Sequence, residues 1–242
     1  DGFLYRNDKL LGLIRGVIKF WIENLNKNGS VNEIFPYEQS FCATAFSSYI
    51  ITETLELLKL KAETEKYKNE LLKVGRWLSE EGNWHIANQV AASTIALLNI
   101  GRLTGNDQLI KEASRRINIL IDRFKKDGYF SEYGGFDLGY ATITMGCLAR
   151  YYQKTKDETV ARVLRESEKK ISGYLDDISR YDNSKMSRHT AFVYPFAFKI
   201  ISSPLLEKIA KGLEKDAILN PDWLDDRYLI GLCNDYIMTF YS

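Results

Sequence analysis

The chain contains two histidines, and both lie where a long connection enters a predicted helix. His85 follows Asn83 and Trp84, and His189 follows Arg188. Imidazole titrates near neutral pH, so each ring is a candidate acid, base or carboxylate-binding group. Helix capping or packing is the structural alternative for both. His and Cys residues are not spaced as metal ligands, and the glycine patterns of nucleotide-binding loops do not occur. We therefore expect no metal and no cofactor.

Carboxylates occur in the same kind of connection. Glu38 precedes one predicted helix, Glu132 lies in an aromatic loop, and Asp137 precedes the next helix. Hydrolysis of a glycosidic bond normally needs two carboxyl groups on opposite sides of the bond, and Glu38 with Glu132 is the first pair to test. Capping of free helix N–H groups is the alternative for Glu38, for Asp137 and for Asp226 before the last helix.

Aromatic side chains are concentrated in these connections, where a flat ring can bind the C–H face of a sugar. Packing between the helices is the alternative. A tyrosine hydroxyl can also move a proton in an elimination beside a uronic acid, if a neutral or cationic group holds the carboxylate. We assign the proton transfer to Tyr133 or Tyr140, and carboxylate binding to His85, Arg188 and His189. The candidate substrate contacts are Tyr37, Asn83, Trp84, Asp137, Arg188, Tyr194, Trp223, Asp226 and Arg227.

Helical periodicity dominates the chain and positions these connections. Helices are predicted over about 10–25, 41–60, 63–79, 88–103, 107–126, 138–154, 158–175, 188–202, 204–216 and 227–241. Apolar helices begin near 41, 88, 138, 188 and 227, at intervals of 39 to 50 residues. Such spacing is typical of stacked helical hairpins. We expect five pairs, with the apolar helix of each pair inside and the charged helix outside.

The two kinds of connection differ in length. Turns from an apolar to a charged helix are short, whereas the returns are long and carry the residues named above. A solenoid also fits the repeat, but this asymmetry favours an all-α, α/α-toroid fold whose long loops converge on one face. We expect one domain over 1–242.

The loop over 127–140 has the most specific pattern. It reads Asp-Gly-Tyr-Phe at 127–130, Glu-Tyr-Gly-Gly at 132–135, then Asp137 and Gly139-Tyr140. With the repeat layout, this pattern resembles α/α-toroid proteins of carbohydrate metabolism. These are the heparinase II/III-like lyases, the helical domain of glucuronyl C5-epimerases and related uncharacterised proteins of bacterial polysaccharide gene clusters. The resemblance implies lyase-like or epimerase-like action at a uronic acid in an acidic or complex glycan. The segment Asn83-Trp84-His85 is similar to the Asn-His segment of the toroid lyases.

Composition excludes several other classes. The chain has 33 basic and 32 acidic residues, without the basic excess of a nucleic-acid binder. No apolar run is long enough for a membrane span. Three distant cysteines in apolar helices predict buried thiols and no disulfide framework. We expect a cytoplasmic protein, and Asp1 in place of an initiator Met suggests a trimmed or partial chain.

Three functions remain open at this point. The first is the lyase-like or epimerase-like reaction, and the second is hydrolysis through Glu38 and Glu132. The third is a non-catalytic glycan-binding or scaffolding helical repeat, working with a partner domain or as a homo-oligomer. We favour an enzyme of the polysaccharide lyase or glycoside hydrolase type.

Overall fold

The computed structural model describes residues 7–219 and 226–241, and for 226–230 it describes the backbone alone. Eleven helices and one two-stranded hairpin occupy these ranges, which confirms the prediction of an all-helical chain. The helices are α1 (Asp8–Glu23), α2 (Phe41–Leu57), α3 (Lys61–Lys66), α4 (Lys68–Glu80), α5 (Ala87–Thr104), α6 (Asp107–Asp127), α7 (Leu138–Thr155), α8 (Glu158–Ser172), α9 (Phe196–Ile200), α10 (Leu205–Glu214) and α11 (Asp226–Phe240). The strands β1 (Ser131–Glu132) and β2 (Gly135–Phe136) lie between α6 and α7.

Contacts divide the chain into two compact units. The first unit comprises α1 to α4 with the chain up to Asn83, and Ala92–Arg116 from α5 and α6. The second comprises Trp84–Ala91 and the chain from Ile117 onward, with the hairpin and α7 to α11. The expectation of one domain over 1–242 stays a prediction.

Helices α7 and α8 show why an apolar helix alternates with a charged one. Small residues such as Ala141 and Ala149 let α7 pack closely, and α7 is buried on most sides. Helix α8 packs against it and buries one stripe, from Val160 to Ile171, while its Lys and Glu side chains face water. Asp137 and Asp157 cap the two helices by accepting free backbone N–H groups.

Two predicted helices differ from the observed ones. The helix over 63–79 is interrupted at Tyr67, which has a φ of −109° and ends α3. The prediction of a helix over 188–202 is wrong for residues 188–195, and within that range only α9 forms. Pro195 disfavours a helical conformation at the preceding residue and has no N–H to donate. The N–H groups of Arg188 and Thr190 are instead donated to the Asp137 carboxylate, at 3.1 and 3.2 Å.

A fully buried arginine closes the end of α4 in the first unit. Arg116 donates to Glu112 Oε1 at 2.9 Å, to Ser93 Oγ at 3.0 Å and to the carbonyl of Glu81 at 2.7 Å. It also donates to the carbonyl of Leu78. The last carbonyls of a helix have no hydrogen-bond donor within the helix. The guanidinium supplies that donor to the carbonyls at the end of α4.

We predict that Arg116→Met lowers the free energy of unfolding by about 3 kcal/mol, because it removes the donor of the buried Leu78 carbonyl and of the part-buried Glu81 carbonyl. Arg115→Met is the matched control. Arg115 also pairs with Glu112, at 2.7 Å, but its side chain is 53% exposed, so its loss should cost about 0.5 kcal/mol or less. Urea denaturation measures the free energy of unfolding of both variants. Equal losses for the two variants would contradict the role of Arg116.

Candidate functional site

The β1–β2 hairpin in the second unit presents a tyrosine at its tip. Ser131 pairs with Phe136 and Glu132 with Gly135, so the turn consists of Tyr133 and Gly134. Both turn residues have positive φ, 54° and 85°, as a tight two-residue hairpin turn requires. Glycine adopts this conformation freely, whereas tyrosine pays on the order of 1 kcal/mol. Tyr133 is 45% exposed, and backbone strain at an exposed residue marks a candidate functional residue.

Glu132 fastens this hairpin to two helices. Its side chain is fully buried. Oε1 accepts the backbone N–H of Asn88 at 2.9 Å and the hydroxyl of Thr144 at 3.1 Å, and Oε2 accepts Asn88 Nδ2 at 2.6 Å. A backbone bridge between Ile86 and Glu132 adds to the connection. The carboxyl group therefore holds the tyrosine turn against the first turn of α5 and the body of α7.

Burial raises the pKa of Glu132 to about 8. The hydrogen bonds from Asn88 and Thr144 oppose the rise, and the negative charge of Asp137 adds to it. At neutral pH the group therefore carries a proton, which needs an acceptor of its own. Turning over the Asn88 carboxamide would present Oδ1 to Glu132 Oε2 and supply that acceptor.

Asp137 is the second buried carboxylate, and it positions the segment that follows α8. Its Oδ1 caps α7 by accepting the N–H of Tyr140 at 3.0 Å, and its Oδ2 accepts the N–H groups of Arg188 and Thr190. A Cβ at Gly139 would collide with Thr190, so the segment lies directly on the start of α7. One carboxylate thus sets both the helix start and the place of Arg188.

The segment is also bonded to the hairpin. Ser187 donates its hydroxyl to the carbonyl of Glu132 at 2.6 Å and its N–H to the carbonyl of Phe136 at 3.0 Å. The hydroxyl of Tyr181 donates to the carbonyl of Thr190. Burial, followed by the nearby charge of Asp137, raises the pKa of Tyr181, which stays a phenol and a donor at neutral pH.

The exposed surface above the two carboxylates combines a cation with two phenols. The Arg188 guanidinium carbon lies 4.3 Å from the centroid of the Tyr133 ring, within cation–π range. The rings of Tyr133 and Tyr140 meet edge to face at 6.3 Å. Gln89 Nε2 lies 3.5 Å from the Tyr133 hydroxyl oxygen. We refer to Tyr133, Tyr140 and Arg188 as the tyrosine–arginine surface, which can bind an anion beside groups able to move protons.

The two histidines lie at the exposed surface of the second unit. His189 has a φ of 53°, and its Nδ1 lies 2.9 Å from the carbonyl of Asn183. A carbonyl only accepts, so Nδ1 is the donor in this contact. His85 is exposed just before α5. The neighbouring Trp84 ring lies 5.9 Å from the guanidinium carbon of Arg123, which also donates to the Trp84 carbonyl.

Two other candidates, Tyr37 and Glu38, belong to the first unit. Tyr37 is 87% exposed with a φ of 65°. Glu38 closes its own loop, because Oε2 accepts the N–H groups of residues 33, 34 and 35 at 3.2, 2.8 and 2.8 Å. These bonds, that of Ile34 first, lower the pKa of Glu38. Ser40, and not Glu38, caps α2.

The remaining predicted residues divide between the two units and the part left undescribed. Asn83 is half-buried at the end of a first-unit segment. Tyr194 is half-buried in the second unit and donates its N–H to Thr142 Oγ1 at 3.0 Å. Trp223 lies outside the described residues, as do the side chains of Asp226 and Arg227.

Sequence analysis missed the polar groups that support the site. Asn88, Gln89 and Thr144 lie in helices that otherwise read as apolar, and buried polar residues in such helices are the signal that could have found them. It also missed Asp235, which accepts the N–H of Phe196 at 2.8 Å. Burial raises the pKa of Asp235 to about 6, against the opposing charge of Arg150.

Among the side chains that the structure describes, no group of three or more His, Cys, Asp and Glu residues is placed to hold a metal ion. No helix in these ranges combines the length and apolarity needed to cross a membrane. Comparison of the chain with models of protein families, with curated proteins and with solved structures gave no match.

We predict that the pH dependence of stability changes in Glu132→Gln. The unfolded chain releases this proton near pH 4.5 and the folded protein near pH 8. The folded state therefore holds the extra proton between these values, and its stability falls as the pH rises. Glu132 lowers the free energy of unfolding by about 2 kcal/mol between pH 6 and pH 8. This contribution should be absent in Glu132→Gln. Urea denaturation at each pH measures it.

Glu38→Gln is the control for this prediction. The pKa of Glu38 is lowered in the folded protein. Its carboxyl group is therefore ionised in both the folded and the unfolded chain from pH 6 to pH 8. The control should keep the wild-type slope. A wild-type slope in Glu132→Gln as well would refute the assignment.

Proposed function

We propose that the protein acts on an acidic glycan at the tyrosine–arginine surface, in a lyase-like or epimerase-like reaction at a uronic acid. The observation that carries the proposal is the strained, exposed Tyr133 beneath the guanidinium of Arg188. The two buried carboxylates hold this arrangement in place before a ligand arrives, which lowers the entropic cost of binding.

The chemistry follows from the acidity of the proton on C5 of a uronic acid, which lies next to the carboxyl group. Arg188 pairs with that carboxylate and stabilises the negative charge that grows as the proton leaves. The phenolate form of Tyr133 or Tyr140 removes the proton. In elimination the C4–O4 bond then breaks, a double bond forms between C4 and C5, and a tyrosine hydroxyl protonates the departing oxygen. In epimerisation a proton returns to the opposite face of C5.

The α/α toroid belongs to the same proposal. It is supported by the alternation of α7, buried on most sides, with α8, buried along one stripe. In this arrangement, the connections over 127–137 and 173–195 would face a glycan chain from one side. A crystal structure with a bound acidic oligosaccharide tests the arrangement and the site together.

A non-catalytic glycan-binding module is the second candidate. It is favoured by the half-exposed ring of Tyr133, since an open surface suits a long chain as well as it suits a reaction. Hydrolysis through Glu38 and Glu132 is a weaker proposal. Glu132 is fully buried and both of its carboxyl oxygens are already hydrogen-bonded.

We predict activity or binding with uronic-acid polysaccharides and not with neutral ones of the same length. Ultraviolet absorbance of the unsaturated product reports elimination, and deuterium uptake at C5 in heavy water reports epimerisation. Tyr133→Phe should lower kcat by about 100-fold or more, because the proton-transfer group is lost. Arg188→Lys should mainly raise KM, by about 10-fold, because a lysine cannot form the forked pair with a carboxylate.

Tyr174→Phe is the matched control, since Tyr174 is also 45% exposed and lies in the second unit. It should behave as wild type. Binding without product, weakened by Arg188→Lys, would select the binding module. Products with added water would select hydrolysis, and full activity of Tyr133→Phe would reject the role of this residue.

A further inference from the structure

The turn that follows α1, in the first unit, contains an asparagine directly before a glycine. Asn28 and Gly29 form the one such pair in the chain. Asparagine is among the thermally labile residues. A following glycine exposes it further, because glycine has no side chain to keep its backbone nitrogen away from the carboxamide. Asn28 is also exposed to water, and water is the co-reactant of this chemistry.

The reaction exchanges the side-chain amide for an acid in two steps. A bond forms between Gly29 N and Asn28 Cγ, the bond from Cγ to Nδ2 breaks, and ammonia leaves with the proton that Gly29 N gives up. The result is a five-membered cyclic imide. Water then adds to one of the two imide carbonyls and opens the ring, without oxidation or reduction. Position 28 becomes either aspartate or isoaspartate, in which the backbone runs through the side-chain carbon.

In the folded turn both reacting groups are held by hydrogen bonds. The N–H of Gly29 donates to the carbonyl of Asn26 at 2.9 Å, and the N–H of Asn26 donates to the carbonyl of Ser30 at 2.9 Å. Asn28 Oδ1 accepts the N–H and the hydroxyl of Ser30, at 3.1 and 2.7 Å, and Asn28 Nδ2 donates to Gln39 Oε1 at 2.9 Å. The attacking nitrogen must give up its proton, which the closed turn keeps in a hydrogen bond.

Packing against α4 also fixes the attacking nitrogen. Gly29 has a φ of 94°, and a Cβ at this position would lie 2.6 Å from the backbone carbonyl carbon of Lys73 and 2.6 Å from the nitrogen of Val74. Gly29 is buried, although its neighbour Asn28 is exposed. The glycine backbone therefore cannot move towards the carboxamide until the turn leaves α4.

We propose that Asn28 is a deamidation site whose rate is set by local opening of this turn. The fraction of time for which the turn is open multiplies the rate of the open chain. Isoaspartate adds a backbone atom beside the tightly packed Gly29, so a turn modified in this way does not close again. The loop that carries Tyr37 and Glu38 then loses its support at this end.

Incubation of the purified protein at mildly alkaline pH, followed by peptide mass spectrometry, tests the proposal. The exchange of an amide for an acid changes the peptide mass, and chromatography separates aspartate from isoaspartate. The folded protein should react at least about 10-fold more slowly than a synthetic peptide of residues 24–33, since an opening cost of about 1.4 kcal/mol already gives that factor.

A matched pair of variants tests the gate. Asn26 Nδ2 donates to Ser30 Oγ at 2.9 Å and to Asn32 Oδ1 at 3.0 Å, so Asn26→Ala should loosen the turn and raise the rate several-fold. Asn24→Ala is the control. Its carboxamide donates to the carbonyl of Phe20 in α1, at 2.7 Å, and the variant should react at the wild-type rate.

A further measurement needs no change near the turn. Urea at concentrations too low to unfold the chain should raise the wild-type rate, because it favours local opening. Equal rates in the folded protein and the peptide, or a rate that neither Asn26→Ala nor urea changes, would overturn the proposal. A mass change that persists in Asn28→Gln would place the reaction at another asparagine and reject the assignment.

Discussion

The burial of two carboxylates in neighbouring turns is the constraint on which the rest of the second unit depends. Glu132 and Asp137 together make six hydrogen bonds, three each, with groups of α5, α7 and the segment after α8. Removing polar or charged groups from water is costly unless such hydrogen-bond partners are supplied. The β1–β2 hairpin and the segment after α8 therefore have little freedom to move separately. This restriction also limits the motion of the exposed side chains that they carry.

This constraint explains why Tyr133 can remain at a positive φ. A tyrosine alone would leave the left-handed region, but its neighbour Glu132 is fixed on one side and Gly134 completes the turn on the other. The local cost is small compared with that of releasing a buried carboxyl group from its donors. Arg188 is held in place in the same way, because its backbone N–H donates to the buried Asp137 carboxylate.

Much of the fold could be predicted from the sequence, because apolar periodicity and glycine stops define α5 to α8 well. The non-helical course of residues 188–195 could not be predicted, since their apolar residues fit a helix. The N–H groups of Arg188 and Thr190 instead bond to Asp137, which is 51 and 53 residues away. For the candidate site, only the proximity of some predicted residues can be compared with the structure. Tyr133, Tyr140 and Arg188 were chosen for their chemistry, and the structure brings them together. Asn88 and Thr144 were not found, because helical periodicity does not report which polar side chains turn inward.

The double duty of Asp137 has a thermodynamic consequence. The same carboxylate starts α7 and orders the segment carrying Arg188, so opening of the helix start and release of the segment are one event. Linkage is reciprocal. An anion captured by the Arg188 side chain would suppress fraying at the first turn of α7, and amide hydrogen exchange there would slow in proportion to occupancy. The backbone of a helix would in this way report on a ligand that it never touches.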